Sequence, residues 1–388
     1  MINRKHFIDQ LSQLVATPSV SCTLPSLDMG NRRVIDLLAN WLQDLGFTID
    51  IQPLADNPEK ANLVATLGQG SGGLVFAGHT DTVPFNAERW QQDPFTLTID
   101  DERAFGLGAT DMKGFFPAVI AAVQPFLDKP LKQAIIILAT ADEETSMAGA
   151  RELLRHDLFQ HKPAKASYAV IGEPTNMQPI RMHKGITMER IRVEGKAGHS
   201  SNPALGNNAL DAMHEVISEL IAFRQQLQQD YRHPGFVIDV PTLNLGCIHG
   251  GDNPNRICGS CELEFDLRPL PGMSLVNLRE DIDCRLQALA DKKQIKIKRQ
   301  SLFPGIDAFE QAEGSTLVDS VERLTGQSSD SVAFATEAPF LQQLGMEVVI
   351  MGPGSIDQAH QPDEFIDLST IDASVSTLKA LIQQFCCQ

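Results

Sequence analysis

The sequence predicts an α/β protein: a mixed, mostly parallel sheet with helices on both faces, and a smaller ferredoxin-like α+β domain inserted into it. Three observations carry this reading. Short, wholly apolar runs alternate with helical stretches in the first and last parts of the chain, as buried parallel strands and their crossover helices do. The middle third instead holds strands in which polar and apolar residues alternate, in the order β-α-β-β-α-β. The length of 388 residues leaves room for two domains of roughly 150 residues each.

Over residues 31–45, Val34, Leu37, Leu38, Trp41, Leu42 and Leu45 recur at helical spacing, and Gly46 follows as a stop. Four apolar runs read as buried strands: LVFA at 74–77, AIIIL at 134–138, YAVI at 168–171 and EVVIM at 347–351. Helical stretches at 114–127 and 149–154 intervene. The alternating strand at 185–194 is followed by a helix at 209–228 and strands at 242–248 and 261–267. A helix at 274–290 and a strand at 295–299 complete the run. Alternation of this kind suits a sheet with one wet face. The expected domains are a discontinuous one, 1–180 with 299–388, and an inserted one, 181–298.

Composition narrows the partners. Lys and Arg number 32 against 49 Asp and Glu, a net charge of −17, which argues against nucleic acid or an anionic membrane as a partner. The longest strongly apolar run, AIIILATA, is far short of the roughly 18 residues that a membrane helix needs. No apolar segment follows the basic residues of MINRKHFIDQ, so no secretory signal is expected. Seven scattered cysteines are an odd number and argue against a disulfide framework; a reduced, cytoplasmic protein is expected.

The residues after the apolar runs carry the chemistry. LVFA is followed by Gly78-His79-Thr80-Asp81, AIIILATA by Asp142-Glu143-Glu144, YAVIG by Glu173, and EVVIMGPGS by a loop containing His360. Ligand crevices of open α/β sheets lie beyond the carboxyl ends of their strands, so these groups are expected at one edge. Asp111, just before an apolar helical stretch, joins them. Taken singly, His79 reads as a capping or core histidine and 142–144 as a solvated helix start. Taken together, converging carboxylates need a cation to neutralise them. Two imidazoles with several carboxylates suit zinc or a similar divalent ion.

Six ordered motifs then carry a resemblance. They are GHTDTVP at 78–84, GLGATDMKG at 106–114, TADEE at 140–144, GEPT at 172–175, GHSS at 198–201 and AHQPDE at 359–364. Together they resemble the co-catalytic dinuclear-zinc metallopeptidases and deacylases over essentially the whole chain. The resemblance implies two divalent metal ions, zinc first and cobalt as the alternative. Asp111 would bridge them, His79 and Glu173 would complete one site, and Glu144 and His360 the other. Asp81 would accept the second ring N–H of His79, Glu143 would be the general base, and His199 would stabilise the oxyanion, reaching across a homodimer formed by the inserted domain. The reaction implied is hydrolysis of an N-acyl amino acid. The branch resembled most implies N2-acetyl-L-ornithine, yielding ornithine and acetate in arginine biosynthesis. Another N-acyl amino acid or a dipeptide, or a catalytically inactive metal-bearing protein, are the alternatives.

Asn255 and Arg268 resemble the family's contacts to a substrate carboxylate. An arginine fork suits a carboxylate bidentately, although Arg268 reads equally as a partner of Asp266. Gly354, in GPGS, is expected to present backbone N–H groups or simply to make a tight turn. Glu337 is expected to select a cationic side chain. His183 and His249 are candidates for the cleft lining. The glycines of 68–73 precede a strand and so do not form a dinucleotide loop, and Cys258 and Cys261 lack a second metal-binding pair.

Overall fold

The structure is a computed structural model that describes residues 2–155 and 166–387. The chain divides into two compact units. One comprises Met1–Arg181, Gln311–Asp330 and Glu337–Gln388, the other Met182–Glu310 with Ser331–Thr336.

The first unit is built on a sheet ordered Thr48–Leu54, Asn57–Leu67, Ile135–Thr140, Gly73–His79, Ala166–Pro174, Glu347–Gly352. The first two pairings are antiparallel. The last four strands run parallel to one another. The apolar runs form these strands because both faces are covered. Leu74 and Phe76 belong to the main core cluster, and Val75 and Ala77, pointing to the opposite face, are also fully buried. The helix Arg32–Asp44 buries Val34, Ile35, Leu38, Ala39 and Leu42 along one stripe. Each such aliphatic side chain contributes about 1.5–3 kcal/mol by leaving water. The helix expected at 114–127 is shorter. It spans Phe115–Val123 and continues as a 3-10 turn, Gln124–Phe126, because Pro125 has no N–H to extend the helical ladder.

The four parallel strands bring their carboxyl ends to one edge. His79 ends one strand, Glu173 lies at the end of another, and Asp142–Glu144 and the loop to His360 follow the remaining two. This arrangement positions the site.

The second unit holds a four-stranded antiparallel sheet ordered Thr242–Gly250, Ser260–Arg268, Thr187–Glu194, Lys296–Ser301. Its order is that of a ferredoxin-like split motif. Residues of Thr187–Glu194 alternate buried and less buried, as a one-sided sheet requires. Helices Ala209–Asp230 and Leu275–Lys293 contribute Val216, Leu220, Phe223, Ile282 and Leu286 to its core. The expected boundary at 298 requires correction. It falls inside the Lys296–Ser301 strand, which pairs with Thr187–Glu194, so the compact unit runs on to Glu310. It also takes in Ser331–Thr336, where Ser331 Oγ donates to the Gly235 carbonyl at 2.6 Å and the Thr336 N–H to His183 Nε2 at 3.3 Å.

His183 therefore lines no cleft. It is fully buried, with Nδ1 2.8 Å from the Lys184 carbonyl, and burial lowers its pKa to about 4. All seven cysteines are free thiols. Among the described residues, no helix is long and apolar enough to cross a membrane.

Candidate metal centre

His79 ends its strand with a buried imidazole. Its Nδ1 lies 3.0 Å from the Asp81 carbonyl oxygen and 3.7 Å from the nearer Asp81 carboxylate oxygen. A proton on Nδ1 donated to that carbonyl leaves the Nε2 lone pair facing outward, 3.1 Å from Asp111 Oδ1 and 4.0 Å from Glu173 Oε1. Asp81 is expected to accept the second ring N–H of His79, and the Asp81 oxygen within hydrogen-bond distance of Nδ1 is the main-chain carbonyl rather than the carboxylate. That carboxylate accepts instead from the backbone N–H groups of Glu143 at 3.2 Å and Glu144 at 3.1 Å. Asp81 thus orients His79 through its main chain and the Glu143–Glu144 turn through its side chain.

Asp111 sits on an irregular loop, with φ −122° and ψ 94°, three residues after Gly108 at φ 78°. Its two oxygens face two different histidines. Oδ1 meets His79 Nε2, and Oδ2 lies 3.4 Å from His360 Nε2. His360, at φ 59°, also lies 3.2 Å from a Glu144 carboxylate oxygen. Glu173 is buried, and its Oε1 has no hydrogen-bond partner. A buried carboxylate oxygen without a hydrogen-bond donor, beside the same cluster, suits coordination of a cation. His79, Asp111 and Glu144 can together hold one ion, their donor atoms all lying within 4.8 Å of one another.

Electrostatics agree with the donor set. Burial raises Glu173 to about 8, helped by the charges of Asp111 and Glu144 and opposed by His79. Burial likewise lifts Glu143 well above the usual carboxylate range, with Glu173 and Glu144 adding to it. Burial opposes the His79 imidazolium, but the bond to Asp111 and the charge of Glu173 outweigh it and raise that ring well above its usual value. The bonds to Asp111 and Glu144 raise His360 to about 10. Two carboxylates that cling to protons, Glu143 and Glu173, and two histidines that cling to charge, His79 and His360, describe a cluster seeking positive charge. Two imidazoles and three carboxylates, all nitrogen and oxygen donors without sulfur, fit zinc, cobalt or a similar divalent ion.

Other expected site residues fall elsewhere in the fold. Glu143 is half-buried beside Glu144. Glu337, in the first unit, is 2% exposed; its Oε1 is unpartnered, and burial raises it to about 7 against a hydrogen bond from Thr140 and the charge of His79. Gly354, at φ 86°, packs so closely that a Cβ there would stand 2.1 Å from Thr110 Oγ1. The second unit holds the remainder. His199 lies on a two-residue strand paired with Arg256–Ile257, and the Ser200 N–H donates to the Asn255 carbonyl at 3.0 Å. Ser201 donates its N–H to His199 Nδ1 at 3.2 Å, so the ring proton stands on Nε2, free to donate. The Arg268 Nε is engaged by both oxygens of Asp266, at 2.9 and 3.1 Å. Arg268 also lines a cavity of about 530 Å³ with Lys184, Phe236 and Phe334. His249 is exposed, 3.0 Å from the Cys247 sulfur.

Two supporting residues escape a reading of the sequence. Lys60 is buried against Asp28 and Asp142, yet in NPEKANLVATL it reads as an ordinary exposed strand lysine. Glu364 lies within a recognised motif, but only the fold brings it to the loop of Asp111, 253 residues away in sequence.

Paired histidines around a central carboxylate at the carboxyl edge of a parallel sheet, with two further carboxylates, Glu144 and Glu173, alongside, define a metal-dependent hydrolase. The profile of Peptidase family M20/M25/M40 matches residues 75–384, and the chain belongs to that family. It is similar to the acetylornithine deacetylase of Pasteurella multocida, 48% identical over 384 residues, which cover 98% of each chain. The acetylornithine deacetylase of Proteus mirabilis is 46% identical over 98% of this chain and 97% of the relative. Among solved structures, the aminopeptidase PepT of Bacillus cereus superposes with a TM-score of 0.76 at 18% identity, covering 99% of both chains. An M20 family metallo-carboxypeptidase of Sulfolobus solfataricus also gives 0.76, at 17% identity, over 98% of this chain and 99% of the other. At those identities the structural likeness defines the fold, and the fold is that of this peptidase family.

Proposed function

We propose that the protein hydrolyses the acetyl amide of N2-acetyl-L-ornithine to L-ornithine and acetate. The observation that carries the chemistry is Asp111, whose two oxygens face His79 on one side and His360 on the other. The substrate follows from relatives named acetylornithine deacetylase at 45–48% identity over nearly the full chain.

His79, Asp111 and Glu173 would hold one divalent ion, and Asp111, Glu144 and His360 a second, with zinc the first choice and cobalt the next. When bound, such ions supply Lewis-acid activation of the attacking water and of the acyl carbonyl. Glu143 takes the proton of that water and returns it to the departing nitrogen. Its raised proton affinity suits both halves of this task. Asp81 keeps Glu143 in place by accepting its N–H, and keeps the His79 lone pair directed at Asp111. Glu337 reads the cationic side chain of the substrate. His199 donates from Nε2 to the developing oxyanion in a homodimer formed through the second unit, and Asn255 and Arg268 receive the substrate carboxylate. Support for His199 is its fixed tautomer; an arginine already paired with Asp266 would have to share its fork.

The test is release of acetate from N2-acetyl-L-ornithine by zinc-loaded protein, beside N-acetylmethionine, N-succinyl-diaminopimelate and a dipeptide, with Glu143→Ala as control. A strong preference for acetylornithine that vanishes in the variant is expected. Preference for another of the four moves the substrate and keeps the chemistry. Silence on all four, with metal bound, removes the reading.

A further inference from the structure

We infer that Glu364 is a positioning residue that couples the two halves of the metal centre, fixing Asp111 relative to His360. The inference rests on the metal reading above. Glu364 is 2% exposed. Its Oε1 accepts from the backbone N–H groups of Thr110 at 2.8 Å and Asp111 at 3.0 Å, and its Oε2 from Gly108 at 3.0 Å. Its own carbonyl accepts from the Gly106 N–H at 2.9 Å.

The loop requires such a partner. Gly108 is left-handed and Asp111 is extended, so the N–H groups between them do not all enter a regular helical ladder. Each buried N–H left unpaired costs about 1–3 kcal/mol. The N–H groups of Gly108, Thr110 and Asp111 converge on one carboxylate, as main-chain donors do in a concave anion-binding loop, while the Ala109 N–H donates to the Gly106 carbonyl. That carboxylate lies four residues after His360. Left-handed turns at His360 and Asp363 double the chain back, and the next residues, Phe365–Asp367, pair with Arg103–Phe105, just ahead of the same loop. Strand pairing and the carboxylate clamp together register the His360 segment against the Asp111 segment.

The consequence is asymmetric. His79 and Glu173 are carried by adjacent parallel strands, independently of Glu364. His360 has no strand of its own and is placed by this clamp. Loss of the clamp should therefore weaken the ion held by Asp111, Glu144 and His360 more than the one held by His79 and Glu173.

The experiment is titration of metal-free protein with cobalt(II), following the visible absorption of the bound ion and the heat of binding, with no substrate present. Wild-type protein is expected to take up two ions per chain. Glu364→Ala should keep the first and bind the second about 10- to 100-fold more weakly, the usual effect of removing an outer-shell partner of a metal site. Glu364→Gln retains the side-chain volume and an acceptor for Thr110 and Asp111 while losing the one for Gly108, so it should fold and fall between the two. Two ions bound by both variants with wild-type affinity overturn the inference. Equal weakening of both ions also overturns it, since that marks general damage. Wild-type protein that takes up fewer than two ions defeats the metal reading and this inference together. Two ions bound without cleavage of acetylornithine removes the substrate reading alone.

Discussion

The Lys60 ammonium lies 2.6 Å from an Asp142 carboxylate oxygen, immediately before Glu143 in the chain, and 2.8 Å from Asp28. Ser21 Oγ donates to the same Asp142 oxygen at 2.8 Å, while the Asp142 carbonyl accepts from Ser146 and Met147. The Glu143–Glu144 turn is thus held from one side by Lys60 and from the other by Asp81.

Replacing Lys60 with Met leaves Asp142 buried and uncompensated. Breaking a buried ion pair from one side costs about 3–5 kcal/mol, so the urea midpoint should fall sharply. A loss below about 1 kcal/mol would show that the pair carries little. In the folded variant, kcat should fall more than KM changes, because the turn presents the base and one metal ligand.

Metal removal makes stability pH-dependent. Glu173 rises from 4.5 to about 8 in the folded, metal-free chain, and His360 from 6.5 to about 10. In both windows the native state binds more protons than the unfolded one, so stability falls as pH rises. For Glu173 the loss runs between about pH 4.5 and 8, and for His360 between about 6.5 and 10. Tm of the metal-free protein should therefore decline from pH 5 to 9. Zinc should flatten that decline, since the metal takes the place of the protons. A Tm that rises over this range in the metal-free protein contradicts the assignment.

Glu143→Gln removes the base but none of the metal donors. Activity should drop by about 10²- to 10⁴-fold. Metal content, measured by atomic absorption, should be unchanged. Retained activity would move the base elsewhere.

Glu337→Gln removes a buried carboxylate whose Oε1 has no partner. If Glu337 reads the substrate's ammonium, preference for acetylornithine over an acetylated neutral amino acid should fall by at least about tenfold, since a hydrogen bond to a charged group is worth about 1.5–3 kcal/mol. Unchanged discrimination in steady-state competition would assign Glu337 a purely structural place. Stability at pH 8 should hold or rise, because burial opposes the ionised form.

Much of this protein follows from its residue pattern. Wholly apolar runs such as Ile135–Leu138 specify buried strands because no polar group need face water, and the alternation in Thr187–Glu194 specifies a one-sided sheet. The rule that ligands gather beyond parallel strand ends was enough to bring His79, Glu144, Glu173 and His360 to one edge. Tertiary structure decided what local pattern does not encode. Which atom of Asp81 meets His79 depends on where Glu143 and Glu144 direct their N–H groups. The end of the second unit depends on which strand Lys296–Ser301 pairs with. The burial of Lys60 and Glu364 depends on segments distant in the chain folding over them, and a charge becomes a structural partner only when water is excluded around it.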